Sequence, residues 1–329
     1  MQYDMRISDM RPGDEVEGFY LLHDAVVKTS AAGKPFLSGT VADRTGSIDI
    51  KVWDYTGALG RSPADAGSVI KLRAAVTEFK GTPQLNVSRI RPAAQGDVYD
   101  LAALVPTAPI DTAETLAQVR ALIATIEDSD LRRVAETMLD RHGEAFARIP
   151  AAKSVHHGFL SGLLMHTANM LRVADMLAGL YAGVIDRSLL LTGTLLHDIA
   201  KEREFAFSAL GLVTEYSLPG QLIGHLVMGA QEAAQVAREL AVPEEKSLLL
   251  QHMILSHHGE PEHGAAVRPL CAEAELLSYI DLIDSRMEIY AEALPDIPVG
   301  TFSGRIFSLD KRIYHHAPLA EMTDLPPEG

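Results

Sequence analysis

Leu195-Leu196-His197-Asp198-Ile199-Ala200-Lys201 is the stretch on which the reading of this chain turns. It closes an apolar, helix-like run that begins near Ser188. A histidine and an aspartate at the end of so apolar a helix are costly to bury unless a metal or a charged partner compensates them. Adjacent helical residues point about 100° apart, because the helix repeats every ~3.6 residues. His197 and Asp198 therefore reach one ion together only near a helix end, or Asp198 bridges two ions.

Ten of the thirteen histidines fall between His142 and His263. His142, His252 and His263 read as ordinary structural residues. The others stand in distinctive settings. His166 follows Gly162-Leu163-Leu164-Met165, His225 follows Gly224, and His257-His258 precede Gly259. Asp281 lies mid-helix in Ser278-Tyr279-Ile280-Asp281-Leu282-Ile283-Asp284. Imidazole and carboxylate donors together suit Mn, Fe, Zn or Mg-like ions and lean towards Mn or Fe. Two ions flanking Asp198 would suit phosphate-ester cleavage, one activating water and both neutralising the phosphate.

These residues occupy the second part of a 329-residue chain, long enough that two domains are expected. No apolar run reaches membrane-spanning length. The start, Met1-Gln2-Tyr3-Asp4, lacks the basic and apolar segments of a signal peptide. A single cysteine, Cys271, excludes an intramolecular disulfide and fits a reducing cytoplasm. Net charge is −15, which alone argues against nucleic acid. Its distribution argues otherwise: residues 1–92 hold 12 Lys and Arg against 11 Asp and Glu, leaving 17 against 33 for the remainder.

Residues 14–92 read as strands. Val16 to Val27, Phe36 to Ala42, Ser47 to Trp53, Val69 to Phe79 and Gln84 to Ile90 are separated by Gly- and Pro-bearing turns. The third and fourth alternate apolar and polar residues. Five strands in about eighty residues suggest a small closed OB-type barrel. Lys51, Trp53, Lys71 and Arg73 would face outward, a platform on which bases stack and phosphates meet cations. The plainer reading is that half-buried strands always show polar residues outward and that Trp53 closes one barrel end.

After a Pro-bearing linker, 93–110, the pattern turns helical. Helices are expected over Thr112 to Glu127, Asp130 to His142, Gly162 to Tyr181, Ser188 to Lys201, Gln221 to Leu240, Pro243 to His257 and Cys271 to Leu294. The expected fold is thus a small β-barrel, 1–92, a linker, an all-α domain, 111–316, and a tail, 317–329.

His166, His197-Asp198 and Asp281 resemble the H…HD…D signature of the HD phosphohydrolase superfamily. A closer resemblance covers nearly the whole chain. His156-His157-Gly158-Phe159-Leu160-Ser161-Gly162-Leu163-Leu164-Met165-His166-Thr167, the HD heptad, Glu215-Tyr216-Ser217-Leu218-Pro219-Gly220 leading to His225, Ser256-His257-His258-Gly259-Glu260 and Asp281-Leu282-Ile283-Asp284-Ser285-Arg286-Met287 are similar to the YhaM family of 3′-to-5′ exoribonucleases. Ala200 stands where the pattern has Gly, and the Gly-Tyr-Pro of cyclic-dinucleotide phosphodiesterases is missing after Gly259.

The resemblance implies that His166, His197, Asp198 and Asp281 hold one divalent ion. Asp198 would bridge to a second ion, held by His225 and His257 with His258 facing the site. Manganese would come first, with Fe, Co or Mg as alternatives. Lys201 would pair with the scissile phosphate as a point charge, and His156 and His157 would stand near the substrate. The partner implied is single-stranded RNA, then single-stranded DNA, with a homo-oligomer allowed for and no membrane. The alternative is an HD enzyme acting on a small nucleotide.

Overall fold

The computed structural model describes residues 2–318 except 31, 63–64, 80, 106, 152–158 and 209. His156 and His157 therefore lie outside the described residues.

Strand β1, Gln2–Tyr3, runs parallel to the start of β2, Glu15–Thr29. Three more strands, β3 (Pro35–Asp43), β4 (Gly46–Trp53) and β5 (Ser68–Phe79), precede β6 (Thr82–Pro92). The order is β1-β2-β3-β4-β6-β5, and β2 also pairs with β5, which closes the barrel. One 15-residue strand serves two neighbours because it bends. Glu15 to Leu22 pair with β5, Leu21 to Thr29 pair with β3, and the register shifts between Leu22 and Asp24. At Gly39 on β3, a Cβ would stand 2.2 Å from the Asp24 carbonyl, so the bend needs glycine beneath it. Inward positions are Val16, Tyr20, Leu22, Leu37, Val41, Ile48, Ile50, Ile70, Leu72 and Leu85, all buried. Closure with a parallel β4–β6 pair is the OB arrangement expected from the sequence.

The stretch after the barrel carries a short helix, α1 (Leu101–Leu104). Leu104 and Val105 pack with Phe19 and Val69 of the barrel, and Leu160, Leu210 and Leu212 of the helical part join them.

Helices α2 (Thr112–Ala124) and α3 (Ser129–Arg148) start at Asp111 and Asp128, whose carboxylates accept from the first-turn amides. Then come α4 (Gly162–Leu180), α5 (Arg187–Leu196) and α6 (Lys201–Glu204). A hairpin of β7 (Phe205–Phe207) and β8 (Val213–Tyr216) leads to α7 (Leu218–Leu222), α8 (His225–Glu239), α9 (Glu244–Ser256) and α10 (Ala272–Ala293). Among the described residues, no helix is long and apolar enough to cross a membrane. The core runs through Val134, Met138, Leu164, Leu190, Leu195, Leu250, Met253, Leu277 and Ile280.

Three departures from the sequence reading bear on the site. The helix expected over Ser188 to Lys201 ends at Leu196, and His197 to Ala200 form a turn before α6. The helix expected from Gln221 begins at His225, because Gly224 takes φ 78°, outside the helical region. The expected all-α domain also contains the β7–β8 hairpin, whose β-branched and aromatic residues flank the turn at Gly211.

Candidate metal centre

Helix α5 is buried along Ser188 to Leu196 and delivers His197 at its C-terminal end. The His197 Nδ1–H donates to the Thr194 carbonyl at 2.7 Å, which turns Nε2 away from the helix. His257 ends α9 in the same way, its Nδ1–H donating to the Ile254 carbonyl at 2.8 Å. His225 opens α8, and its Nδ1 bonds Glu204 Oε1 at 2.8 Å. On α4, His166 Nδ1 bonds Asp284 Oδ2 at 2.7 Å and Nε2 faces Asp281 Oδ1 at 3.3 Å. Each ring thus has one nitrogen fixed by the protein and the other aimed inward, the usual setting of a metal-ligating histidine.

Asp198 stands at the centre and is buried. Its Oδ2 lies 3.2 Å from His197 Nε2, while Oδ1 lies 3.3 Å from His225 Nε2 and 3.7 Å from His257 Nε2. Two groups of donor atoms, each within 4.8 Å of one another, follow: His166 with His197 and Asp198, and His225 with His257 and His258. His197 Nε2, Asp198 Oδ1, His225 Nε2, His257 Nε2 and His258 Nδ1 are buried without a hydrogen-bond partner in the protein. Orphaned buried polar atoms are expensive. Three of them, the Nε2 atoms of His197, His225 and His257, close on the Asp198 carboxylate, which is what a divalent cation satisfies, so these residues fit a metal site.

The charges agree with that fit. Burial works against ionisation of Asp198, but Lys201, His197 and His225 outweigh it and hold the carboxyl well below its ordinary value. Burial also opposes ionisation of Asp281, and His166 reverses it in the same direction. His257 is pushed well below its usual value by burial, then by His197 and His258, and burial lowers His258 too. Both rings therefore keep a lone pair to offer. His166 is the exception: burial disfavours its charge, yet Asp281 and Asp284 on its two nitrogens raise it to about 9, so an ion would take Nε2 only in exchange for that proton.

All seven expected ligands come together: His166, His197, Asp198, His225, His257, His258 and Asp281. Asp284 is engaged with the far nitrogen of His166, so it orients that ring while Asp281 faces the inward nitrogen. Lys201 lies 2.6 Å from Asp198 Oδ2 and so is engaged with a carboxylate inside the cluster. Two supporting features escaped the sequence. Glu204 orients His225 from the turn after Lys201. His142, on α3, sits between Glu202 of α6 (Nδ1, 2.5 Å) and Glu232 of α8 (Nε2, 2.8 Å). Nothing in a linear sequence points Glu202 and Glu232 at a histidine 60 and 90 residues away.

Beside the cluster is a cleft of about 630 Å³ lined by His257 and His258 and, from α10, by Tyr279, Asp281, Ser285 and Arg286. A second groove, about 640 Å³, runs over the outer face of the barrel. Trp53, Lys71 and Arg73 line it, together with Arg89 and Arg91 of β6, which the sequence reading passed over. Trp53 is 56% exposed and stacks at 5.1 Å on Phe36, so it does not plug the barrel. Lys71 pairs with Glu17 at 3.3 Å and lies over the Phe19 ring. Arg91 is held bidentately by Asp97. Lys51 is outside the groove, bonded to Ser38 and lying over Phe36.

The HD domain family matches residues 163–286 of this chain. The 3′-5′ exoribonuclease YhaM of Shouchella clausii (strain KSM-K16) is 36% identical over 310 residues, which cover 93% of this chain and 94% of that protein. Among solved structures, the OB domain of Ta0387 from Thermoplasma acidophilum is 20% identical, covers 30% of this chain and 94% of its own, and has a TM-score of 0.24. The second OB-fold domain of replication protein A from Methanococcus maripaludis is 16% identical, covers 30% of this chain and 100% of its own, and has a TM-score of 0.23. With the HD cluster assembled and the relative matched almost end to end, this chain belongs to the YhaM family of 3′-5′ exoribonucleases.

Proposed function

We propose that this protein is a metal-dependent 3′-to-5′ exoribonuclease that shortens single-stranded RNA, with single-stranded DNA as a second substrate. The observation that carries the reading is Asp198, whose two oxygens face separate groups of histidines. His166, His197, Asp198 and Asp281 would hold one divalent ion, and Asp198, His225 and His257, with His258 facing the site, would hold the other, with manganese first in order of preference. When bound, the ions supply an activated water and neutralise the charge on the phosphate. The protein's own part is to fix the donors. Asp284 and Glu204 set the His166 and His225 rings, the helix-end carbonyls set His197 and His257, and Lys201, beside Asp198, supplies a cation for the scissile phosphate.

Residues 1–92 bind the strand through the groove of Trp53, Lys71 and Arg73, with Lys51 beside it. Residues 93–110 connect, 111–316 catalyse and 317–329 form a tail. The near-neutral barrel lets RNA approach a chain whose acidity lies elsewhere. A single cysteine suits a cytoplasmic protein. Leu218, Leu222 and Ile223 stand exposed on and beside α7, the kind of apolar patch through which copies of a chain associate.

The test uses RNA labelled at its 5′ end, beside a panel of small nucleotides, with Mn and with chelator. Labelled products that shorten stepwise from the 3′ end, only with metal, support the reading. Hydrolysis of the nucleotides with intact RNA would replace it by a small-nucleotide phosphohydrolase.

A further inference from the structure

We infer that the cleft beside the metal cluster seats the nucleotide released in each turn, with Arg286 on its phosphate and Tyr279 against its base. This rests on the exoribonuclease reading and adds the place and the grip of the leaving product.

The cleft shares His257, His258 and Asp281 with the metal centre, so a molecule in it lies against three residues of that centre. Its volume, about 630 Å³, is that of a small-molecule site. Among the described residues, none from the barrel or from the β7–β8 hairpin lines it.

Among the described residues that line it, Arg286 is the only Lys or Arg. The acidic residues of the rim already have partners: Glu260 pairs with Arg268 at 2.8 Å, and Glu275 engages the Tyr279 hydroxyl. The exposed Arg286 guanidinium has no ion pair or hydrogen bond among the described residues. An unpaired arginine facing a cleft in a chain of net charge −15 marks a place for an anion, and its planar fork matches phosphate oxygens two at a time. Tyr279 is 54% exposed on the same helix. Seven residues separate it from Arg286, two helical turns, which puts both on one stripe about 10 Å apart along the axis.

The chemistry supplies the anion. Water adds its oxygen to phosphorus, the bond from phosphorus to the 3′ oxygen of the preceding nucleotide breaks, and that oxygen takes a proton. The released piece is a nucleoside 5′-monophosphate carrying the phosphate that was cleaved.

The test is inhibition of RNA shortening by a nucleoside 5′-monophosphate and by the same nucleoside without phosphate, using the full metal-loaded chain. Arg286→Ala should keep its metal content and melting point and be inhibited by the monophosphate roughly 10- to 100-fold more weakly, the value of a charge-assisted hydrogen bond. Inhibition by the bare nucleoside should be unchanged. Arg286→Lys should fall between the two, because charge survives and the fork does not. Tyr279→Ala should weaken both inhibitors equally. An Arg286→Ala protein that shortens RNA and is inhibited like the wild type overturns the inference, as does a wild type that no monophosphate inhibits. A wild type that leaves RNA intact overturns the underlying reading and takes this inference with it.

Discussion

The Lys201 ammonium lies 2.6 Å from Asp198 Oδ2, the same carboxylate oxygen that faces His197. Burial works against a charged lysine here, but Asp198, Asp281 and Glu204 more than restore it, so the pair is ionised. Lys201→Ala should retain its ions, because it removes a cation from beside them. Turnover should fall by about 10²–10³, the scale for removing one preorganised charged group. Elemental analysis beside single-turnover rates checks this. Loss of metal with unchanged RNA binding would make Lys201 a support for Asp198 alone.

Asp198→Asn tests the two-ion arrangement with little change of shape. An amide cannot bridge two cations as a carboxylate does, so bound metal and turnover should both collapse while the barrel stays folded. Asp198→Ala should also unfold more readily, because it leaves Lys201 buried without its counter-ion, a loss of about 3–5 kcal/mol for a broken buried pair. Near-normal turnover of Asp198→Asn after chelator treatment and manganese addition is the result that would sink the arrangement.

On the barrel, Arg73→Ala with Arg89→Ala should weaken RNA binding and lower its salt dependence by roughly 0.7 for each phosphate that is no longer neutralised. Lys71→Ala should do less, since Glu17 already neutralises it. Trp53→Ala should cost about 1–3 kcal/mol of RNA affinity if a base stacks on the ring, with hydrolysis of a small phosphodiester unchanged. Early melting of Trp53→Ala would instead identify a packing residue.

His142 carries a pH signature. Burial disfavours its charge, but Glu202 and Glu232 raise its pKa to about 9 in the folded chain, above the 6.5 of a free histidine. The proton is bound more tightly in the folded state. Its stabilisation is therefore complete below about pH 6.5 and is lost as pH rises through about 9. Urea unfolding should give wild type an advantage over His142→Gln on the order of 1–3 kcal/mol at pH 6 that shrinks towards pH 9.5. A difference that stays constant across this range would rule out the protonated bridge.

Much of this site is written locally. The HD turn, the Gly before His225 and the His257-His258 doublet occupy helix ends, and helix ends leave a mark in sequence. The outward alternation of Trp53, Lys71 and Arg73 is equally plain. What escaped is what tertiary packing decides. Arg89 joins the groove because β5 and β6 pair Arg73 with Arg89 next to a register shift. Lys71 loses its freedom to Glu17, which faces it from β2. Glu204 and His142 have no pattern of their own, because their partners lie on other elements.

The four orienting bonds of the cluster differ in how far they reach along the chain. His197 and His257 are held by carbonyls three residues back, within the last turn of their own helices. His166 depends on Asp284, 118 residues away, and His225 on Glu204 across the hairpin. The centre should therefore come apart in a set order as the chain loosens, one pair of rings losing its alignment while the other keeps it. In mild denaturant, the Nδ1 protons of His166 and His225 should exchange with solvent before those of His197 and His257. Simultaneous exchange of all four would show that the cluster melts as one.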